Sequence, residues 1–371
     1  MKNFLFSIIA GCILISVGSC KRDDDEPERE RRSISRLYVS TSDYAASSAA
    51  PSIFNVWPVD NVDAEELPKR EDYRPFTSAA KGGRMIHYSP FKGGRIFQGS
   101  MNPTSDLDTS VHVMGISKTG VLDNKTSATN RIYDKVRGLY YAVVNDVKLS
   151  EDYLLFANAS DTTNGTPVPN YTLFAVKGPG TTGRFSRPRY RMKLTHNPWG
   201  VIAIEKDLLI SKAEENDGAI VVYKGFINKL LQNGDSIMEE SDNYLLKIQG
   251  ANNIRGISYS KSADILMATD YSTSSGSGQA VGRILIFEKF SQYTSAQDIV
   301  PTRIIAGDLT RLKEPSDVAI DGKADAKYFF VADPAARRVF RFLISADGNV
   351  APKDELNFDN RPPQSISLDS R

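Results

Sequence analysis

The chain has 371 residues, of which 40% are hydrophobic and 25% charged, and its formal net charge is +1. That length is sufficient for one large or two ordinary domains with a substantial core. A nearly neutral charge balance without a concentrated basic stretch argues against nucleic acid as a partner.

The first segment of the chain, residues 1–19, is predicted to be a signal peptide. Lys2 provides a positive start, and FLFSIIAGCILISVG is an apolar run shorter than the roughly 20 residues that span a bilayer. Gly18 and Ser19 then precede Cys20, and this arrangement resembles the bacterial lipobox, in which the cysteine is lipidated. A second match ends at Cys12, but cleavage there leaves too short an apolar run. We therefore predict lipidation at Cys20.

Residues 20–33 are predicted to form a solvated tether. After Cys20 they contain no apolar residue except Pro27, so they cannot pack into a core. The acidic cluster behind the cysteine resembles the export signal of Bacteroidetes surface lipoproteins, with a plain spacer as the alternative. We expect a protein anchored by lipid to the outer membrane, more often at the cell surface than on the periplasmic face. Because the mature chain has no other cysteine, disulfides and cysteine–zinc sites are excluded.

From residue 34 onward the sequence shows a repeat of short β-branched and aromatic runs separated by turn residues. The unit is clearest at 314–345 and recurs at 253–290, 197–226, 145–178 and, more loosely, 83–117. A fourth, outer strand is predicted at 131–134 and 303–308. The positions taken as equivalent in the first strands are Ile86, Val147, Val201, Ile257, Val318 and Ile366.

Four strands in each unit of roughly 40–60 residues are typical of a β-propeller blade. The last unit, 361–371, supplies only a first strand, whereas 35–44 and 52–60 read as a second and a third strand. Joining the two ends completes one blade and removes exposed sheet edges. The sequence therefore predicts an all-β fold over 34–371: a six-bladed β-propeller of four-stranded blades, its ring closed by N- and C-terminal strands in one blade.

The unit at 314–345 resembles an NHL-type repeat. The resemblance rests on Pro315, the strand 317–321, the strand 330–333 and the strand 338–342. It implies the six-bladed NHL and TolB-like group, which includes binding modules and a few enzymes. The resemblance therefore carries the fold further than the activity.

Metal or enzyme chemistry has little support in the sequence. His87, His112 and His196 show no metal-ligand spacing, and the chain lacks a nucleophile elbow or phosphate-binding loop. Propeller lactonases hold an axial calcium or other divalent ion with Glu, Asn and Asp side chains. Oxygen-bearing residues on or near the predicted inner strands are Asn145, Asp146, Asn252, Asn253, Glu314, Asp317, Asp321 and Asp369. Because turn formation explains most of these, we predict no cofactor, with Ca²⁺ as the alternative.

One face of the predicted ring gathers the loops that would meet a ligand. The residues expected there are Asp43, Tyr44, His196, Trp199, Asn253, Arg255, Asp270, Tyr271, Lys313, Asp333 and Arg337. Aromatic rings beside amides and charges suit a sugar or a peptide. We expect a non-catalytic envelope module that binds a protein, a glycan or another envelope ligand. A propeller hydrolase with an axial divalent metal is the main alternative, and a scaffolding role is the third.

Overall fold

The computed structural model describes residues 34–44, 53–101, 108, 110–117, 120–129, 135–145, 150–163, 166–179, 188–232, 237–240, 242–273 and 281–371. Within them, six mainly antiparallel sheets surround a central channel, and the predicted all-β six-bladed propeller is confirmed. Cys20 and the rest of 1–33 lie outside the described residues. The described part of the chain contains no helix that is long and apolar enough to cross a membrane.

Five blades are built from consecutive stretches of chain, and we number the blade that holds both termini as blade 1. Blade 2 has β3 (Gly83–Ser89), β4 (Arg95–Ser100), β5 (Val111–Ile116) and β6 (Leu122–Thr129). Blade 3 has β7 (Val136–Asn145), β8 (Ser150–Thr163), β9 (Thr166–Lys177) and β10 (Tyr190–Lys193). Blade 4 has β11 (Pro198–Ile204), β12 (Asp207–Lys212), β13 (Ala219–Tyr223) and β15 (Asn243–Ile248).

The remaining consecutive blades follow the same plan. Blade 5 has β16 (Ile254–Ser260), β17 (Ile265–Ser272), β18 (Val281–Glu288) and β20 (Arg303–Ile305). Blade 6 has β21 (Asp317–Ile320), β22 (Tyr328–Asp333), β23 (Arg338–Leu343) and β24 (Asp354–Asn357). In each blade the first strand borders the channel, and its apolar face packs against the next blade.

Blade 1 closes the ring with strands from both ends of the chain. Its inner strand is β25 (Pro363–Asp369), followed outward by β1 (Arg36–Thr41) and β2 (Val56–Asp60). Among the described residues it has three strands rather than the predicted four, and an antiparallel bridge from Phe76 to Val56 covers its outer edge. The six inner strands contact one another in sequence, with β25 between β21 and β3, so the ring is complete.

A second device covers the outer edges of the middle blades. The connection between the third and fourth strands of blade 4 contains α1 (Phe226–Gln232) and β14 (Ile237–Met238), which pairs in parallel with β10 of blade 3. In blade 5 the corresponding connection supplies β19 (Gln297–Ile299), which pairs with β15 of blade 4. An unpaired strand edge can pair with another chain and aggregate. Blades 4 and 5 each supply a strand that covers the outer strand of the preceding blade.

Two strand assignments from the sequence need correction. The inner strand of blade 3 is β7, and its residue equivalent to Ile86 is Leu139 rather than Val147. Val147 follows β7 and lies outside the described residues, as does the predicted outer strand at 131–134. The outer strand of blade 2 is β6 instead. The predicted outer strand at 303–308 is confirmed by β20.

Candidate functional site

Four of the inner strands have a bulge at the end of the channel where all six begin, which we call the channel mouth. Pairing with the second strand shifts register after Gly83, Arg137, Pro198 and Ile254. A bulge turns a side chain away from the regular alternation of the strand. Gly138, at φ +52°, shows why one bulge takes glycine, since a Cβ there would lie 2.5 Å from the Trp199 carbonyl oxygen. The bulges therefore aim one side chain per strand at the mouth.

Six residues occupy equivalent positions there, each two residues before the apolar residue aligned with Ile86. We call them the mouth ring. In chain order they are Arg84, Arg137, Trp199, Arg255, Ser316 and Gln364. Blades 2, 3 and 5 thus each place an arginine at the same level of the channel, and blade 4 places the tryptophan between two of them.

The tryptophan of the mouth ring holds two guanidinium groups. The Cζ atom of Arg137 lies 3.5 Å from the centroid of the Trp199 ring, and that of Arg255 lies 4.5 Å from it. Arg255 also lies 4.4 Å from the centroid of the Tyr271 ring. Cations over aromatic faces are attracted by the ring quadrupole. Three adjacent blades are therefore connected by an arginine–aromatic stack.

Only one acidic side chain of the described residues is ion-paired with this stack. Nη1 of Arg255 donates a 2.8 Å hydrogen bond to Oε1 of Glu314, which reaches across from blade 6. Arg84 is 8% exposed, and its Nη2 contacts only the sulfur of Met101, at 3.3 Å. Burial lowers the pKa of Arg84 to about 10. Burial, and then the charges of Arg84 and Arg255, lower the pKa of Arg137.

Several buried polar atoms at this end of the molecule have no hydrogen-bond partner among the described residues. They are Nε and Nη1 of Arg84, Nε of Arg255, Nε1 of Trp199, Oδ1 of Asn253 and both ring nitrogens of His196. Buried polar atoms in folded proteins are nearly always satisfied, and each exception needs a reason. Four of the five side chains supply N–H groups. The mouth is thus rich in unused donors.

The structure brings together some of the residues expected at a ligand face. Trp199, Arg255 and Tyr271 meet in the stack described above. Asn253 precedes β16, and its side-chain oxygen Oδ1 is buried without a hydrogen-bond partner among the described residues. His196 is 3% exposed in the turn before β11, and burial lowers its pKa to about 4, so it is neutral at pH 7.

Three of the expected acids are occupied within their own blades. Asp270 accepts the backbone N–H groups that lead into β16 and pairs with Arg283. Asp333 accepts the N–H groups of residues 313, 314 and 336. Asp43 accepts the backbone N–H of Phe54 and pairs with Arg361. These carboxylates hold the loops that carry the mouth residues.

The other three expected residues lie nearer the outside of this face. Lys313 and Arg337 are exposed, and Arg337 donates to Asn360 at 3.3 Å. Tyr44 is half-buried at the end of the segment after β1. The arginine–aromatic stack itself is formed by Arg137, Trp199, Arg255 and Tyr271.

Four residues of the mouth ring were missed from the sequence, and two of them are the arginines Arg84 and Arg137. Arg137 was hidden because β7 was assigned to a later stretch, although Arg137-Gly138-Leu139 matches Arg255-Gly256-Ile257. Arg84 is followed by a methionine, so it lacks the Arg-Gly pair that marks the equivalent position in blades 3 and 5. Aligning the inner strands on their bulges recovers both.

The residues of the channel do not fit the axial divalent cation considered above. No three His, Cys, Asp or Glu side chains cluster in a metal-binding arrangement within the described ranges. Asp317 accepts hydrogen bonds from Ser365, Ile366 and its neighbour Val318, which occupies both its oxygens. Three guanidinium charges at the mouth also repel a cation.

Beyond the mouth ring the channel widens into a cavity of about 320 Å³. All six inner strands line it, mainly with aliphatic side chains at the level of Ile86, Leu139 and Val201. His87 faces it with its ring 5.4 Å from that of Tyr140, and burial lowers the pKa of His87 to about 4. The three arginines of the mouth ring therefore lie at one end of a channel whose cavity is lined mainly by aliphatic side chains.

The fold and the channel place the chain among six-bladed β-propellers. No family model matches it, and no curated protein matches it. A chain of a nidogen/laminin complex is 11% identical, with 90% of this chain and 98% of that chain covered and a TM-score of 0.57. The periplasmic gluconolactonase of Pseudomonas aeruginosa is 12% identical, with coverages of 91% and 99% and a TM-score of 0.50. At these identities the likeness concerns the fold alone.

Proposed function

We propose that this protein is a lipid-anchored module of the cell envelope that binds its ligand, without catalysis, at the channel mouth. The observation that carries the proposal is the cluster of buried polar atoms without partners in the mouth ring, centred on Arg84, Trp199 and Arg255. Leaving such atoms unsatisfied costs about 1–3 kcal/mol each, and a bound ligand removes that cost. A convergent set of polar groups at the opening of a cavity is typical of a binding site.

A binding role fits the mouth better than acid–base catalysis does. General acids and bases work best with a pKa near the operating pH. The pKa of His196 is lowered to about 4 by burial, and the carboxylate of Glu314 is paired with Arg255. Arginine stays protonated and does not shuttle protons. The groups present therefore favour holding a ligand over transforming it.

The hydrolase alternative draws on the likeness to the gluconolactonase, but that likeness extends only to the fold. It makes a separate prediction, which is hydrolysis of a lactone or phosphoester that depends on an added divalent ion. Turnover of such substrates by the purified chain with Ca²⁺ would replace the binding proposal by the hydrolase one. Equal background rates with and without the protein support binding.

Anchoring and exposure are tested with two variants. Cys20→Ser is expected to move the protein from the membrane to the soluble fraction, and unchanged sedimentation with membranes contradicts lipidation. Lys313→Cys introduces a thiol on the mouth face, where Lys313 is exposed. Labelling of that thiol by a membrane-impermeant maleimide in intact cells supports the surface location, and labelling only after lysis indicates the periplasmic side.

Ligand binding at the mouth is tested by thermal unfolding with a panel of sugars, short peptides, amino acids and small anions. At least one class is expected to raise the midpoint of the wild type and to lose this effect in Trp199→Ala. Arg337→Gln is the matched control, because Arg337 lies on the same face but outside the stack. A panel that never distinguishes the two variants contradicts binding at the mouth.

A further inference from the structure

Only one of the three arginines of the mouth ring is paired with an acidic residue of the described part of the chain. Arg255 pairs with Glu314, whereas Arg84 and Arg137 have no acidic partner among the described residues. Buried or half-buried charges are normally paired, because taking an ion out of water costs several kcal/mol. A protein that retains three guanidinium groups around one carboxylate at a channel opening carries an unbalanced positive charge there.

We propose that the ligand of the mouth carries an oxyanion, a carboxylate or phosphate group, that is bound by Arg84, Arg137 and Arg255. This inference rests on the proposed function and specifies its ligand. Guanidinium groups bind carboxylate and phosphate oxygens through parallel N–H groups, and such charge-assisted hydrogen bonds are the strong ones. Carboxylate and phosphate ligands share the oxyanion, and the experiment below distinguishes between these two kinds of ligand.

The unused donors belong to the groups that this assignment requires. Arg84 offers the N–H groups of Nε and Nη1, each of which can donate a hydrogen bond of its own. Arg255 offers Nε, since its Nη1 is taken by Glu314. The indole N–H of Trp199 is also free. A neutral hydroxyl ligand would satisfy some of these donors, but only an anion also neutralises the charge.

The scaffold around the arginines holds them in place before a ligand arrives. The Trp199 ring fixes the guanidinium groups of Arg137 and Arg255 at 3.5 and 4.5 Å from its centroid. The backbone is fixed as well, since Ser211 accepts from the N–H of Gly200 at 2.6 Å and donates to the carbonyl of Arg255. Holding donors in position lowers the entropic cost of binding. The mouth is a preorganised anion site.

The lowered pKa of Arg137 agrees with an anion site at this position. The pKa of Arg137 is lowered first by burial and then by the charges of Arg84 and Arg255, and the carboxylate of Glu314 offsets only part of this, so the three arginines repel one another. An anion between the three groups reverses the sign of that interaction. Binding should therefore stabilise the fold as well as satisfy the donors.

The experiment titrates the full chain in detergent with inorganic phosphate and, separately, with acetate, at constant ionic strength set by chloride. Calorimetry and the thermal unfolding midpoint are both read. Saturable binding of at least one anion, with one site per chain, is expected. Arg137→Gln and Arg84→Gln should each weaken it at least tenfold, while Arg337→Gln leaves it unchanged. Preference for phosphate or for acetate identifies the source of the oxyanion.

Two results overturn the inference. One is failure of phosphate and acetate to bind beyond the chloride control, and the other is binding that Arg137→Gln leaves unchanged. If a neutral sugar or peptide still binds and Trp199→Ala abolishes its binding, the anion assignment fails while the proposed function stands. If Trp199→Ala alters the binding of nothing, both fail. Arg137→Lys separates charge from shape, because it keeps the charge but loses the paired N–H groups.

Discussion

The hydroxyl of Ser365 donates a 2.6 Å hydrogen bond to the carboxylate of Asp317. Ser365 lies on β25 in blade 1, and Asp317 lies on β21 in blade 6. The same hydroxyl accepts the backbone N–H of Ile86 in blade 2 at 3.1 Å. One side chain from the C-terminal strand thus connects three consecutive blades at the place where the two ends of the chain meet.

Removing this hydroxyl should weaken the ring closure. In Ser365→Ala the buried Asp317 carboxylate loses a donor and the Ile86 N–H loses its acceptor, so we expect a loss of about 2–3 kcal/mol of unfolding free energy. Ser367→Ala is the matched control, because Ser367 accepts only the N–H of Tyr88, at 2.9 Å. Its expected loss is about 1 kcal/mol. Urea unfolding of both variants measures the difference, and equal losses contradict a special role for Ser365.

The stability of this junction should depend on pH. Burial raises the pKa of Asp317 from 3.8 to about 6 in the fold. Between these values the folded chain holds a proton that the unfolded chain has released, so stability falls as pH rises from 4 to above 6. The fall attributable to this group is about 2–3 kcal/mol.

The comparison with Asp317→Asn isolates that effect, because the variant keeps every other titrating group. The unfolding free energy of the wild type minus that of the variant should be larger at pH 4.5 than at pH 7.5, because the wild type loses stability as Asp317 releases its proton. A difference that stays constant across this range means that Asp317 does not titrate there.

Two buried arginines should respond in opposite directions to the same substitution. Arg341 is completely buried and donates to the carbonyls of residues 62 and 65 at 3.0 and 2.7 Å and to the carboxylate of Asp354. Arg84 is also buried, at 8% exposure, but has two nitrogens without partners among the described residues. Arg341→Met should cost about 3 kcal/mol, since it breaks a satisfied pair.

Arg84→Met should instead raise the unfolding free energy of the ligand-free protein by about 1–2 kcal/mol, since an apolar side chain replaces an uncompensated charge. Such a trade of stability against binding is common where a site is built for a ligand. Denaturant curves without phosphate or carboxylate in the buffer make the measurement. Destabilisation comparable to that of Arg341→Met would show that Arg84 serves the fold.

Glycine in the bulges allows neighbouring inner strands to approach. A Cβ on Gly256 would lie 2.4 Å from the Cα of Asp317 and 2.9 Å from the N of Val318. Because backbone cannot move aside cheaply, Gly256→Ala should lower the unfolding free energy by about 2–3 kcal/mol. Gly322→Ala is the control, as nothing lies within 4 Å of its added Cβ, and it should be nearly neutral. Similar melting temperatures for the two variants would contradict the close approach.

The sequence predicted the blades well because their middle strands are buried on both faces. Strands such as β8, β12 and β22 are apolar runs that end in small residues, and such runs have few alternatives in an all-β chain. The inner strands are harder, since glycine, arginine and polar residues face the channel. For this reason the first strand of blade 3 was placed at Val147, although the inner strand is β7.

The mouth ring could be predicted only in part. Its residues are separated by about fifty positions in the chain, and each is a single arginine or aromatic residue without a local motif. Trp199 and Arg255 were found because their loops were assigned correctly, whereas finding Arg84 and Arg137 required the alignment of the bulges. The pairing of Asp43 with Arg361 depends on a contact between segments near the two ends of the chain, which periodicity does not reveal.

Glu314 is the residue through which the charge of the mouth can be adjusted. Its Oε1 accepts from Nη1 of Arg255 at 2.8 Å, and its side chain is 38% exposed. An oxyanion that enters the ring meets this carboxylate as a competitor for the same guanidinium. Glu314→Gln should therefore strengthen phosphate or acetate binding about three- to tenfold, which corresponds to roughly 1 kcal/mol.

The same substitution should lower the thermal midpoint of the ligand-free protein, because Arg255 loses its charged partner. The two effects have opposite signs, and a purely structural role for Glu314 predicts only the second. Glu288→Gln is the control, since Glu288 pairs with Arg303 at the outer edge of blade 5. Isothermal titration of both variants with phosphate measures the change in affinity. Weaker binding after Glu314→Gln would mean that the carboxylate positions Arg255 for the anion and does not compete with it.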